Sequence, residues 1–163
     1  MLRHVIAALT PPNQLAMEVS LVTGLRISDV LSIRTAQIQT GRRITIREQK
    51  TGKRRRLTLP RELHGRMRAQ AGRKYVWQGR LSEEKPRTRQ AVHKDMLRAR
   101  KAFRLRGVIA PHTARKVFAV ELYRKSGLKA VQDTLGHSHV TTTMLYALAD
   151  QLTLKRAPRR GSK

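Results

Sequence analysis

Two short runs of alternating apolar and polar residues constrain the fold of this chain more than any other feature. Within residues 43–48, Ile44 and Ile46 fall on one face, and in a second run Leu57 and Leu59 do the same. A Thr-Gly pair lies between the runs and is a turn signal, so the two runs predict an antiparallel β-hairpin. Most of the remaining apolar residues have helical spacing. The pattern therefore indicates a mostly α protein of the α+β class with a small antiparallel sheet.

Helix start and stop signals predict several helices around one core. Pro11-Pro12 fits a stop or the first turn of a helix, and Gly24 lies where the following helix would be capped. The next helix has Ser28 and Asp29 in its first turn, which places Arg26 in a tight junction between two helices. Further helices are predicted over residues 60–70, 89–103, 111–125 and 128–135, with a short strand or extended segment at Tyr75-Val76-Trp77.

Some side chains receive specific burial predictions. In the helix over residues 89–103, Ala91 or Val92, Met96, Leu97 and Phe103 are predicted to face inward. For His4, His64 and His93 the sequence offers no partner, so all three are predicted to lie at the surface.

Charge indicates the class of partner. The 163 residues suffice for one domain with a core, and 36 Lys and Arg against 10 Asp and Glu give a net charge of +26. Such an excess implies a polyanion, with nucleic acid as the default. There is no cysteine for a disulfide or a Cys-based zinc site. No apolar run is long enough to span a membrane and no secretory signal is visible, so the chain is predicted to be cytoplasmic with no membrane partner.

A few polar residues could carry chemistry, although each is a weak signal alone. His112 and Arg115 are three residues apart in the first turn of a predicted helix, where backbone amides favour an anion. The hairpin turn carries Lys50 and Lys53, which could attract phosphates without specificity or reach into a site. Tyr146 follows a histidine by nine residues, and a phenol near an imidazole could act as a nucleophile.

Taken in order, five segments resemble the catalytic domain of the tyrosine recombinases, the phage integrase family. The segments are Thr23-Gly24-Leu25-Arg26-Ile27-Ser28-Asp29, Lys50-Thr51-Gly52, His112-Thr113-Ala114-Arg115, Leu135-Gly136-His137 and Tyr146. The resemblance covers nearly the whole chain, and its motifs are specific because separated segments match in order with sensible gaps. It implies a helical domain with a small antiparallel three-stranded sheet.

The resemblance also implies catalytic roles. Arg26 and Arg115 would clamp the scissile phosphate while Tyr146 attacks it and forms a 3′-phosphotyrosyl linkage. Two guanidiniums can offer forked donors to the phosphate oxygens, so the chemistry implies no metal and no cofactor. Rejoining by a 5′-hydroxyl would need no ATP, because the covalent linkage conserves the phosphodiester energy.

Further roles are implied for groups around the phosphate. Lys50 would protonate the departing 5′-oxygen, with Lys53 as a competitor for this acid role. His112 would act as a base or hydrogen-bond partner, and His137 as a hydrogen-bond donor to the phosphate. Asp29, which stands where relatives often have Glu, could brace the first arginine.

The resemblance implies a site-specific DNA recombinase of prokaryotic or phage origin, associated with the nucleoid and working as a homotetramer on double-stranded DNA. Without DNA it would be a monomer or weakly associated. Residues 1–163 are predicted to be a single catalytic domain with a basic tail at 150–163, and the N-terminal core-binding and arm-binding domains of the family are predicted to be absent. Two alternatives remain open: a type IB topoisomerase-like or telomere-resolving strand transferase, and a non-catalytic basic DNA-binding module.

Overall fold

Seven helices and one two-stranded antiparallel sheet make up the residues that the computed structural model describes, 2–105 and 109–135. In chain order they are α1 (Leu2–Ala7), α2 (Pro11–Thr23), α3 (Ile27–Leu31), α4 (Thr35–Gln39), β1 (Arg43–Arg47), β2 (Arg54–Thr58), α5 (Arg61–Gln70), α6 (Arg89–Ala102) and α7 (His112–Leu135). The described residues fall into two units that divide after Arg115, each with its own internal contacts. The predicted α+β, mostly α, fold class is confirmed, and none of the helices described could span a membrane.

The predicted hairpin is present, but the prediction of three strands is wrong for the described residues. Strands β1 and β2 pair antiparallel, with Ile44 opposite Leu57. Tyr75 instead makes an isolated antiparallel bridge with Arg34. The backbone of this extended segment bonds to the chain between α3 and α4, where the amide of Val76 donates to the carbonyl of residue 33 at 3.0 Å. Its hydrogen-bonding capacity is therefore used away from the hairpin.

The junction between α2 and α3 follows its sequence signals. Pro11 is the first residue of α2, and Gly24 caps the helix in the left-handed conformation with φ of 68°, which glycine adopts without steric cost. Arg26 then has extended backbone angles and precedes α3 as its N-cap residue. The chain therefore passes from α2 to α3 within three residues, which constrains the backbone that carries the Arg26 side chain.

The core of the first unit lies between the hairpin and the helices, and its largest side chain is Trp77, whose indole N–H donates to the carbonyl of Pro12 at 2.8 Å. Two of the inward predictions for α6 are wrong, since Leu97 is 40% exposed and Phe103 48% exposed. The helix faces the core through Val92, Met96 and Ala99. These follow a spacing of four and three residues, which leaves the position after Met96 on another face.

His64 is also not a surface residue. It is buried on α5, and one ring nitrogen lies 2.8 Å from the carbonyl oxygen of Ile38. Because it follows the buried Leu63, it shares the inner side of the helix, and the carbonyl satisfies its polar atom.

In the second unit, α7 breaks where the sequence predicts a stop. Gly127 has φ of 77° and ψ of −177°, and the two helical segments on either side of it pack against each other. The cluster is formed by Ala119, Val131 and Leu135, with Phe118, Leu122 and Tyr123 against it.

One buried carboxylate connects α6 to the start of α2. An oxygen of Asp95 accepts hydrogen bonds from the amide and the hydroxyl of Thr10, at 2.8 and 2.9 Å, and from Asn13 at 2.8 Å. Its other oxygen accepts two from Arg98, at 2.9 and 2.7 Å. Burial opposes the charge, yet these bonds outweigh it and lower the pKa of Asp95 to about 2. The carboxylate thus caps α2 from a distant helix.

Asp95→Asn is expected to reduce the free energy of unfolding and to flatten its dependence on pH. Because the folded-state pKa is depressed from 3.8 to about 2, the carboxylate stabilises the fold above pH 3.8 and loses that effect as the pH falls towards 2. The shift corresponds to about 2 kcal/mol at neutral pH. Urea denaturation at several pH values between 2 and 7 measures it, with Glu62→Gln as the control at an exposed carboxylate. A parallel pH dependence in Asp95→Asn and wild type would contradict the assignment.

Candidate functional site

Side chains from three different elements hold the backbone of the α2–α3 junction. The carbonyls of residues 23, 24 and 25 accept hydrogen bonds, in that order, from Arg55 at 2.5 Å, Arg115 at 2.7 Å and Ser20 at 2.7 Å. The donors come from β2, α7 and α2. Three consecutive carbonyls are thereby satisfied without regular secondary structure, so the junction is fixed immediately before Arg26.

Arg26 is braced by two buried carboxylates. One of its terminal nitrogens donates to Glu48 at 2.7 Å and lies 3.9 Å from Asp29. Its side chain is only 15% exposed, so it is not an ordinary solvated arginine. Asp29 was predicted to brace Arg26, and the ion pair is present, but the shorter contact is the one to Glu48.

Glu48 is the site residue that sequence reasoning missed. It follows β1 in the same alternation that buries Ile44 and Ile46, so a carboxylate on the inward side of the hairpin was the available signal. Burial raises its pKa, but hydrogen bonds from Arg26 and Thr51 outweigh that effect, and the net shift is downward. Glu48 is therefore held as the carboxylate.

The pKa of Asp29 moves in the opposite direction. Burial raises it, and repulsion by the neighbouring Glu48 adds to the increase, against hydrogen bonding from the amide of Gln49 at 3.0 Å. One carboxyl oxygen of Asp29 is buried and makes no hydrogen bond to the part of the chain that the structure describes. Asp29 consequently pairs less well with Arg26 than Glu48 does.

Arg115 lies deep beside this cluster, with 7% of its surface exposed. Burial, with repulsion by Arg26 next in size, lowers the pKa of Arg115 to about 10, while Glu48 and Asp29 act in the other direction. It remains a cation at neutral pH. Two guanidiniums are thus kept charged and close enough to perturb each other, an arrangement that favours binding of an anion.

A cleft of about 640 Å³ opens beside these groups. It is lined by the start of α3, the first turns of α6 and the segment leading into α7, through residues 26–28, 89, 90, 93 and 110–112. The predicted site residues Arg26 and His112 therefore meet at one cleft. Arg89 and His93 also line this cleft, although the sequence assigned neither a role.

The two hairpin lysines are exposed in the turn between β1 and β2. Glu48 closes this turn, because its carbonyl accepts the amide of Gly52 at 2.8 Å and its carboxylate accepts the hydroxyl of Thr51 at 2.9 Å. The same carboxylate binds the guanidinium of the first arginine. Within the described residues, neither Lys50 nor Lys53 makes a side-chain hydrogen bond or ion pair, so neither side chain is itself fixed in the site.

The outer face of the hairpin is strongly cationic. Arg47 pairs directly with Arg54 across the strands, and Arg43 and Arg56 are exposed on the same face. Like charges directly opposite each other destabilise a strand pair. A polyanion bound to this face would relieve the repulsion. His137 and Tyr146, the other two predicted site residues, lie outside the described residues.

Comparison with protein families and curated sequences gives consistent matches. The model of the phage integrase family matches residues 2–152. The tyrosine recombinase XerD of Staphylococcus aureus strain Mu50 is 34% identical over 73 residues, 44% of this chain and 25% of the relative. XerD of Listeria monocytogenes serotype 4b is 26% identical over 159 residues, 88% of this chain and 52% of the relative. The chain thus spans about half or less of the curated relatives it matches.

Solved structures share the fold. A lambda integrase fragment, residues 75–356 of that protein, in a dimer bound to a COC' core site superposes with a TM-score of 0.72 at 22% identity, covering 99% of this chain and 59% of that one. The XerH site-specific recombinase bound to a palindromic difH substrate gives a TM-score of 0.70 at 20% identity, covering 94% and 48%.

Proposed function

The chain belongs to the phage integrase family, and we propose that it acts in site-specific DNA recombination by cleaving and rejoining DNA through a 3′-phosphotyrosyl intermediate. The observation that carries the proposal is the pair Arg26 and Arg115, both fixed at the α2–α3 junction beside a cleft. A phosphodiester is the anion that two such guanidiniums can hold by its nonbridging oxygens.

In the proposed reaction, the phenol oxygen of Tyr146 attacks the scissile phosphorus. The phenol gives its proton to His112 as the base, a phosphorus–oxygen bond to tyrosine forms as the bond to the 5′-oxygen breaks, and a hairpin lysine gives that 5′-oxygen its proton. Arg26 and Arg115 stabilise the charge that develops on the phosphate oxygens. His112, on the cleft wall, and His137 supply hydrogen bonds around the phenol and phosphate.

Preorganisation supports these roles. Arg26 is held by Glu48 and Arg115 by the Gly24 carbonyl, so neither side chain has to be ordered when the phosphate binds. Donors that are fixed beforehand cost little reorganisation in the transition state. Rejoining reverses the cleavage, with a 5′-hydroxyl attacking the phosphotyrosine.

Double-stranded DNA is the proposed partner, in keeping with a net charge of +26 and the cationic outer face of the hairpin. A lambda integrase structure is a tetramer bound to a Holliday junction, and assembly as a homotetramer on DNA is likewise part of the proposal. Action in the cytoplasm, at the nucleoid, is part of the same proposal, and so is the single-domain organisation of residues 1–163.

The test is capture of the covalent intermediate. The chain is incubated at low salt with nicked suicide DNA that carries a candidate recombination site, and the products are separated in SDS. A covalent adduct that peptide mapping places on Tyr146 is the expected result, while Tyr146→Phe binds the DNA equally well and forms none. If no cognate site yields an adduct although binding is intact, the chain acts as a DNA-binding module. Plasmid relaxation without recombinants would instead identify a topoisomerase-like strand transferase.

A further inference from the structure

Arg55 differs from the other arginines of the hairpin in the direction of its side chain. Strand β2 alternates between exposed and partly buried positions, and Arg54 and Arg56 fall on the exposed face. Arg55 instead stands opposite Ile46 on the inner face, next to the half-buried Leu57. An arginine in this row of apolar side chains must make specific contacts to offset the loss of water.

Of the two terminal nitrogens of Arg55, one makes a short hydrogen bond and the other makes none within the described residues. A terminal nitrogen of Arg55 donates to the Thr23 carbonyl at 2.5 Å, and the second terminal nitrogen is buried without a hydrogen-bond partner among the described residues. Burial lowers the pKa of Arg55, against the attraction of Glu48 and Asp29. An apolar residue at this position would avoid both costs, so packing alone does not explain the arginine.

The carbonyl that Arg55 binds belongs to the junction that positions both phosphate-binding arginines. The next carbonyl, that of Gly24, accepts from Arg115, and two residues further on comes Arg26. Arg55 therefore ties the strand that follows the lysine turn to the backbone that orients the clamp. Glu48 makes the corresponding link from the preceding strand, through its contact to Arg26.

We propose that Arg55 is a positioning residue for DNA strand cleavage. It holds the hairpin in a fixed position relative to the α2–α3 junction, so that the lysine of the hairpin turn meets the phosphate bound by Arg26 and Arg115. The inference rests on the proposed function for the reaction it serves. In this role Arg55 acts through the protein backbone and not through a contact to DNA, since the terminal nitrogen that does not bond to Thr23 is buried.

The test compares Arg55→Met with Arg56→Met, its neighbour on the opposite face of the same strand. Both remove one positive charge, so both lower DNA affinity at a given salt concentration. At saturating DNA, Arg55→Met is expected to form the covalent adduct about 10 to 100 times more slowly than Arg56→Met, since misplacement of reacting groups reduces the rate and not the affinity. Equal rates in the two variants would overturn the proposal.

Arg55→Lys separates positioning from loss of folding. A single ammonium can donate to the one carbonyl that Arg55 binds and leaves no unpaired nitrogen of a guanidinium, so this variant should recover the rate to within about threefold of wild type. If Arg55→Lys forms the adduct as slowly as Arg55→Met while both variants have the melting temperature of wild type, the hydrogen bond to the Thr23 carbonyl is not the basis of the effect and the proposal is overturned.

A readout without activity keeps this inference separate from the proposed function. Amide hydrogen exchange at Gly24 and Leu25 should be about tenfold faster in Arg55→Met than in Arg56→Met, because only the first loses the tie to the junction. Unchanged exchange would overturn the positioning role. Absence of any adduct with the wild-type chain would count against the proposed function alone.

Discussion

Arg26→Lys is expected to lower the rate of covalent adduct formation by about 10² to 10³ at saturating DNA, with a much smaller loss of DNA affinity. Removal of one preorganised donor to a developing oxyanion has an effect of about this size. Lysine keeps the charge, but a single ammonium cannot both pair with Glu48 and offer a fork of donors to the phosphate. Single-turnover kinetics on suicide DNA, with affinity measured separately, would check the expectation.

Two further variants sharpen this prediction. Arg61→Lys changes an exposed arginine at the start of α5 and should leave the rate unaltered. Glu48→Gln keeps an acceptor for the guanidinium but loses its charge, so its rate should lie between those of wild type and Arg26→Lys. An Arg26→Lys protein that cleaves as fast as wild type would remove Arg26 from the clamp and weaken the proposed function.

Local signals were sufficient to predict most of the secondary structure. Pro11, Gly24 and Gly127 mark a helix start, a helix end and a helix break in the sequence, and the structure has each at that position. These residues act through their own backbone preferences, which depend little on distant contacts. The hairpin was predictable for the same reason, since alternation and a Thr-Gly turn lie within a short stretch.

Features that depend on distant partners were not predictable. Arg55 and its two neighbours have the same chemistry in the sequence, and only the register of β2 distinguishes the inner one. Glu48 alternates with Ile44 and Ile46, yet its pairing with Arg26 depends on how the hairpin docks against the α2–α3 junction. The number of strands in the sheet likewise depends on where an extended segment finds its hydrogen bonds.

The residues of the site could be predicted from the sequence, but the contacts that hold them in place could not. The resemblance placed Arg26, His112 and Arg115 in one site, and the structure brings Arg26 and His112 to one cleft, with Arg115 at the same junction. Glu48 holds Arg26, the Gly24 carbonyl holds Arg115, and Arg55 bonds to the Thr23 carbonyl next to it, and a motif records none of these contacts. Preorganisation is thus contributed by residues whose importance only the fold reveals.

Contacts around the turn favour Lys50 over Lys53 as the source of the proton. The residue before Lys50, Gln49, is bound to α3 by its backbone, which donates to Asp29 at 3.0 Å, and by its side chain, which donates to the Ser28 carbonyl at 3.4 Å. Ser28 lines the cleft. Lys50 therefore follows a residue fixed beside the proposed phosphate site, whereas Lys53 lies beyond Gly52 on the returning side of the turn.

Lys50→Ala is accordingly expected to slow cleavage of ordinary DNA by about 10² to 10⁴, and Lys53→Ala by much less. The decisive comparison uses DNA in which sulfur replaces the bridging 5′-oxygen at the scissile phosphate. A thiolate is a far weaker base than an alkoxide and leaves without a proton, so Lys50→Ala should cleave this substrate at nearly the wild-type rate. Should Lys53→Ala show that rescue instead, the acid is Lys53. If sulfur rescues neither variant, the hairpin lysines bind phosphate and the proton comes from another group. The residues that bind the phosphate would then be distinct from the residue that protonates the leaving oxygen.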